Sequence, residues 1–258
     1  MIAPSLQLAA GTLPSPRSAV GENAKARFIR RMFDTIAPDY DRLNTWVSFG
    51  MDRFWRRRTV RAMPRDGWIA DWCAGTGALA RTYLRRRDTS GRVVMCDFSA
   101  EMCRLSGNMF TPAERPRIFY VCCDVTKPPF RDGVFDGQMM GFSIRNLTSR
   151  PAFFAEARRC AASSGRGALL DLSSPRFRPW RWLCRFHFNI VAPLIVKLVA
   201  RRGEFAYRYL SESIFRHANP AQITGEMKSA GFPDARSESL AGGVGVIFRW
   251  GPRPGKTR

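Results

Sequence analysis

Small residues crowd the junction between an apolar run and a helix-like segment at Asp71-Trp72-Cys73-Ala74-Gly75-Thr76-Gly77. The run Trp68 to Ala70 enters this junction, and Leu79 to Arg87 leaves it. A second short apolar run, Arg92 to Cys96, ends in Asp97, twenty residues past Gly77. Small residues at a strand-to-helix turn let the backbone come close to a ligand, and an acid closing the next strand can accept hydrogen bonds from ribose hydroxyls. The spacing predicts a nucleoside-binding βαβ unit. A glycine turn followed by a chance acid matches this stretch too, so the rest of the chain has to decide.

Downstream, the run Arg117 to Cys122 leads to Asp124-Val125, and Val134 to Met140 follows the turn at Pro128 to Gly133. Alternating apolar and helical segments between Trp68 and Ser174 argue for an α/β domain with a parallel, doubly wound sheet. The chain divides into a tail (1–24), an N-terminal helical cap (25–66), the sheet domain (67–174), an aromatic and basic lid with helices (175–230), and closing strands with a tail (231–258). In the cap, Phe28, Ile29, Met32, Phe33 and Ile36 fall at helical spacing before a break at Pro38. Ala235 to Leu240 and Val244 to Trp250 form two last runs joined through Gly242-Gly243. The tail lacks the apolar stretch of a signal peptide, and no run reaches the roughly 18 apolar residues of a membrane span.

Two cofactor classes compete for the turn. A dinucleotide would set its pyrophosphate on the helix N-terminus, and Ala80 is an allowed third position of that fingerprint. Asp71, however, repels a pyrophosphate and attracts a sulfonium or an amino group. The form D-x-C-x-G-x-G resembles the first motif of class I S-adenosylmethionine-dependent methyltransferases. That resemblance implies a Rossmann-like seven-stranded sheet whose closing hairpin is the last two runs. It also implies a cofactor site of Asp71, Gly75, Thr76, Gly77 and Asp97, with Asp124 and Val125 beside the adenine.

A narrower resemblance follows from three separated blocks. Met32-Phe33-Asp34-Thr35-Ile36-Ala37-Pro38-Asp39-Tyr40-Asp41-Arg42-Leu43-Asn44 with Ser48-Phe49-Gly50 and Trp55-Arg56 resembles the N-terminal signature of the ubiquinone/menaquinone biosynthesis C-methyltransferases. Phe142-Ser143-Ile144-Arg145-Asn146 and Tyr207-Arg208-Tyr209-Leu210-Ser211-Glu212-Ser213-Ile214 resemble two further blocks of that family. The resemblance implies methylation of a ring carbon of a polyprenylated quinol, of demethylmenaquinol or methoxy-benzoquinol type. Gly141 stands where the family usually has a serine in the cofactor site, Ser143 replaces a glycine, Ala78 an acid and Thr126 a glutamate.

A quinol carbon becomes a better nucleophile as its ring hydroxyl loses a proton, so the enzyme needs a group to stabilise or remove that proton. Arg145 and Asn146 are the first candidates. A guanidinium stays protonated, so Arg145 would stabilise a phenolate or orient a water rather than act as a base. A structural arginine followed by a helix-capping asparagine is the bland alternative. Tyr40 and Asp41 are placed to close over the cofactor from the cap, against a plain Pro-Asp turn with a packed tyrosine. Of the two histidines, His187 and His217, His187 reads as a packing residue in the lid before it reads as a base.

The net charge of +21 is dominated by arginine, which pairs well with phosphate; anionic lipid, nucleic acid and a genome-wide arginine bias all account for it. Pro175 to Gly203 has no acid and mixes aromatic, aliphatic and basic residues. Phe177, Trp180, Trp182, Phe186 and Phe188 predict an element lying on an anionic bilayer, with a core-packed lid or a homodimer interface as alternatives. That placement implies a cytoplasmic enzyme peripheral to the inner face of the membrane, or one of the mitochondrial matrix in a eukaryote. Seven cysteines without a CxxC pair or a Cys/His cluster imply reduced thiols and no metal. A nucleic-acid methyltransferase and a non-catalytic membrane scaffold remain the rival classes. No base-flipping block follows the fourth run, and nucleic acid is not expected as a partner.

Overall fold

Each run named above becomes a strand, and along most of them alternate residues face opposite cores. The computed structural model describes residues 24–199, 213–215 and 219–252. The strands are β1 (Trp68–Trp72), β2 (Arg92–Asp97), β3 (Ile118–Cys122), β4 (Phe135–Gly141), β5 (Ala161–Leu172), β6 (Arg236–Leu240) and β7 (Gly245–Trp250). They form one sheet in the order β3-β2-β1-β4-β5-β7-β6, parallel from β3 to β5, with β7 antiparallel to both β5 and β6. The chain winds outward from β1 to β3 and then restarts at β4 beside β1. That reversal opens a crevice at the carboxyl ends of β1 and β4, where open α/β sheets take their ligands.

On one face, Ile69, Met95, Met139 and Leu170 pack against Leu43, Trp55, Phe188 and Val196 from helices outside the sheet. On the other, Trp72, Met140, Leu169 and Phe248 pack against Phe153, Phe154 and Met227. The period of two along the strands therefore buries both faces, as a parallel sheet requires. Three helices are capped at their N-termini by side chains that accept a backbone N–H: α5 (Ala100–Ser106) by Ser99, α6 (Arg150–Cys160) by Ser149 and the helix Pro220–Ser229 by Asn219. Ser149, and not Asn146, is thus the cap that follows β4.

The N-terminal cap folds as α1 (Ala24–Ile36), α2 (Tyr40–Val47) and α3 (Met51–Val60), with Pro38 in the 3-10 turn that separates the first two. After β1 comes α4 (Ala78–Leu84). The aromatic and basic segment forms α7 (Arg178–Phe186), a π turn (His187–Val191) and α8 (Ala192–Val199). Cys184, Phe188, Ala192 and Val196 are buried, whereas Trp182, Phe186, Ile190, Leu194 and Leu198 are exposed. Both stripes repeat every four residues, which on a regular helix drifts by about 40° per step. The extra residue of one π turn takes back about 100°, so each stripe stays on its own side. Tyr207, Tyr209 and the rest of their block before Ser213 lie outside the described residues, as does His217, while Ile214 is buried. Among the described residues, no helix is long and apolar enough to cross a membrane.

Candidate active site

Strand direction alone brings the expected site residues together. Asp71 lies in β1; Gly75, Thr76 and Gly77 form the β1–α4 turn; Asp97 ends β2; Asp124 and Val125 follow β3; Gly141 ends β4; and Arg145 and Asn146 lie in the next 3-10 turn. All sit along the carboxyl edge of the sheet. Tyr40, the first residue of α2, reaches the same edge from the cap.

The glycine turn is built by left-handed backbone at Cys73, Gly75 and Gly77 (φ 52°, 54° and 79°). The two glycines serve different needs. A Cβ on Gly77 would sit 2.8 Å from both Met95 Cε and Phe110 Cζ, so this position is glycine for packing. A Cβ on Gly75 would meet only Met102 Sδ at 4.0 Å, so that side of the turn is open. The Gly75 N–H donates to Asp97 Oδ2 (2.8 Å), and the Ser99 N–H donates to Asp97 Oδ1 (2.9 Å). Each carboxylate oxygen keeps a lone pair for a further donor, which suits two ribose hydroxyls. Burial pushes the Asp97 carboxyl up to about 6, with the nearby Asp34 charge adding to the rise and the backbone N–H donors opposing it.

Asp71 differs from the sequence expectation of an acid at the mouth of the site. It is 1% exposed and lies beneath the turn, where its Oδ2 accepts from the Ala80 N–H of α4 (3.0 Å). Its Oδ1 is buried without a partner. Burial raises this carboxyl well above the usual range, against the Ala80 N–H and the charge of Arg56. An orphaned carboxylate oxygen below an open glycine fits the ammonium of a methionyl group, so the residues present fit S-adenosylmethionine. Thr76 donates to Asp41 Oδ1 (2.9 Å), and Arg81 Nη2 holds Asp41 Oδ2 (3.0 Å). Those bonds pin α2 over the turn, so the side chain of Thr76 acts on the cap and its backbone remains for the ligand. Asp124, just past β3, is exposed and accepts from the Thr126 N–H and hydroxyl, both at 2.8 Å, while Val125 is buried.

Arg145 is fixed rather than free. Its backbone N–H donates to Asp171 Oδ2 (3.0 Å), its Nη1 donates to the Phe142 carbonyl (2.8 Å), and Nη1 also pairs with Asp171 Oδ1. Asp171 is fully buried, and Arg145 Nε is buried without a partner. Asn146 donates its N–H to the Ser143 carbonyl (2.9 Å). Burial raises the Tyr40 phenol; the charges of Arg56 and Arg145 and a hydrogen bond to Asn44 oppose that rise. His187 packs: its Nε2 is 2.9 Å from the Val47 carbonyl, and its ring is 5.1 Å from Phe49 and from Phe188.

The residue that sequence reasoning missed is Arg56. It is 7% exposed, its guanidinium lies 5.0 Å over the Phe142 ring, and Nη1 is 3.6 Å from the Cβ that Gly141 lacks. Among the described residues its only hydrogen bond goes from Nε to Asp52 (3.5 Å). The sequence carried one signal: Asp52 and Arg56 are four apart, next to a Trp55 that must face inward.

The chain matches the model of the ubiE/COQ5 methyltransferase family over residues 20–251. It is 34% identical over 229 residues to the ubiquinone/menaquinone biosynthesis C-methyltransferase UbiE of Geotalea uraniireducens, covering 87% of this chain and 96% of that one. It is 32% identical over 226 residues to the 2-phytyl-1,4-naphtoquinone methyltransferase of Trichormus variabilis, covering 85% and 97%. Among solved structures, an S-adenosylmethionine-dependent methyltransferase of Thermotoga maritima, described as a possible histamine N-methyltransferase, superposes with a TM-score of 0.60 at 13% identity, covering 86% and 99%. That last likeness concerns the fold alone.

Proposed function

Because this chain belongs to the ubiE/COQ5 methyltransferase family, we propose that it methylates a ring carbon of a polyprenylated quinol at the surface of an anionic membrane. It is an S-adenosylmethionine-dependent methyltransferase, with the seven-stranded sheet of that class. Asp97 and the open Gly75 would hold the adenosyl group, with Asp124 and Val125 at its base and Asp71 beneath its methionyl end. When bound, S-adenosylmethionine supplies an electrophilic methyl group on a sulfonium.

The protein's own work is then mainly positioning. Tyr40 meets the charge of Arg145 from the cap, in a half-buried place where charge acts strongly. A ring hydroxyl arriving there would have its developing negative charge stabilised by donors that need no reorganisation. Arg145, held by Asp171, keeps one Nε–H free for an acceptor oxygen or an ordered water, and α2 over the turn keeps bulk water from the methyl group.

The observation that carries the quinol reading is family membership over nearly the whole chain, together with Tyr40, Arg145 and Asn146 at one crevice. Support for the membrane comes from the exposed stripe Trp182, Phe186, Ile190, Leu194 and Leu198. Arg178, Arg181 and Arg185 flank it, no acid falls between residues 175 and 199, and Phe49 of the cap extends it. An amphipathic basic element of this kind lies in the interface and gives a prenyl tail a way out of water. The test is mass spectrometry of lipid extracts from cells lacking the protein. A quinone short by one ring methyl is expected, and an unchanged quinone pool would refute the proposal.

A further inference from the structure

We infer that Arg56 is the receptor for the carboxylate of the methyl donor's amino-acid end, completing with Asp71 a paired site for a zwitterion. The inference rests on the adenosyl reading of the crevice and adds a residue and a ligand group to it. A buried guanidinium has five N–H donors, and Arg56 uses one, on Asp52. Its two Nη groups have no hydrogen-bond acceptor among the described residues. They point to the end of β4, where Gly141 offers no side chain and leaves Nη1 3.6 Å from an empty Cβ position. Neither Nη is among the sealed, unpartnered atoms of the described residues, so both open onto the crevice, where an anionic ligand can take the place of water.

The partner's identity follows from what lies next to it. β1 and β4 are neighbours, with Asp71 opposite Met139 and Trp72 opposite Met140, so Gly141 is one step beyond the end of β1. There the second unmet group, Asp71 Oδ1, is sealed from solvent. One orphaned carboxylate oxygen and one under-used guanidinium, on adjacent strand ends, match an ammonium and a carboxylate carried by one carbon. The Arg56 charge also acts directly on Asp71, so each half of the pair makes burial of the other less costly. Phe142, left-handed at φ 61°, lies under the guanidinium and fixes its plane.

The test compares S-adenosylmethionine with its decarboxylated form, which differs by that one group, by calorimetry on the full chain without acceptor. The wild type should bind the complete donor about 10- to 100-fold more tightly, the range of a hydrogen bond between charged groups. Arg56→Gln should lose that preference while keeping its affinity for the decarboxylated form, which also shows that the crevice is intact. Arg56→Lys should keep part of the preference, since it restores charge without the fork. An undiminished preference in Arg56→Gln overturns the inference, as does equal loss of both ligands. A wild type indifferent to the carboxylate also overturns it. Failure of both ligands to bind the wild type would instead remove the adenosyl crevice itself.

Discussion

Lowering the pH should loosen the adenosyl site before it unfolds the protein, and Asp97 sets the midpoint. Its carboxyl is raised from 3.8 to about 6, chiefly because it is buried and next to Asp34. Ribose hydroxyls donate best to an ionised carboxylate. If only that form binds, affinity scales with its population. At pH 7 nearly all of Asp97 is ionised, whereas at pH 5 about one tenth is, so the dissociation constant should rise about tenfold, or about 1.4 kcal/mol. 5′-Methylthioadenosine is the right probe, because it lacks the amino-acid end proposed to engage Asp71. Titration calorimetry from pH 5 to pH 8 should show a bend near 6, and Asp97→Asn should bind more weakly with a flat profile. Stability runs the other way. A carboxyl whose folded value lies above its unfolded value makes a contribution that is full below about 4 and lost as pH rises through 6. For this shift it amounts to about 3 kcal/mol. The unfolding free energy of Asp97→Asn relative to wild type should therefore improve by up to about that amount between pH 4 and pH 7.5. An affinity for the nucleoside that is constant from pH 5 to pH 8 would refute this account of Asp97.

The two glycines of the turn should separate. Gly77→Ala, with a left-handed φ and two side chains at 2.8 Å, should cost about 2–4 kcal/mol in chemical denaturation. Gly75→Ala should cost about 1–2 kcal/mol of strain and show its main effect in donor affinity. Arg145→Met strands the fully buried Asp171 and should destabilise the fold by about 3–5 kcal/mol, with methyl transfer reduced beyond what the folded fraction explains. In liposome sedimentation, the protein should favour anionic over neutral vesicles. Neutralising Arg178, Arg181 and Arg185 should remove that preference, and Trp182→Ser with Phe186→Ser should weaken binding to both.

Much of the sheet was legible because β1 to β4 and β7 are apolar runs bounded by turns. The strand β5 was not. Its first half, Ala161 to Gly167, reads Ala-Ala-Ser-Ser-Gly-Arg-Gly, without any run of apolar side chains. It is extended because β4 and β7 pair with it, and because Gly167 makes room for the Trp250 ring, which a Cβ would meet at 2.0 Å. The site was legible in its backbone logic, since a glycine turn and strand-end acids are local features. Charge partners were not. Asp171 lies 26 residues from Arg145, and Arg56 stands among exposed Arg53 and Arg57, set apart only by Asp52 four residues before it and Trp55 beside it. Asp71 was read as lining the mouth because the sequence does not show that α4 folds back and covers it.

Incubating the purified protein with trideuteromethyl-labelled S-adenosylmethionine and a reduced, prenylated quinol in anionic vesicles tests the central claim most directly. The account predicts a product in which the labelled methyl has replaced a ring hydrogen, located by fragmentation to carbon. Label on a ring oxygen, or no transfer from a donor that calorimetry shows to be bound, would contradict it.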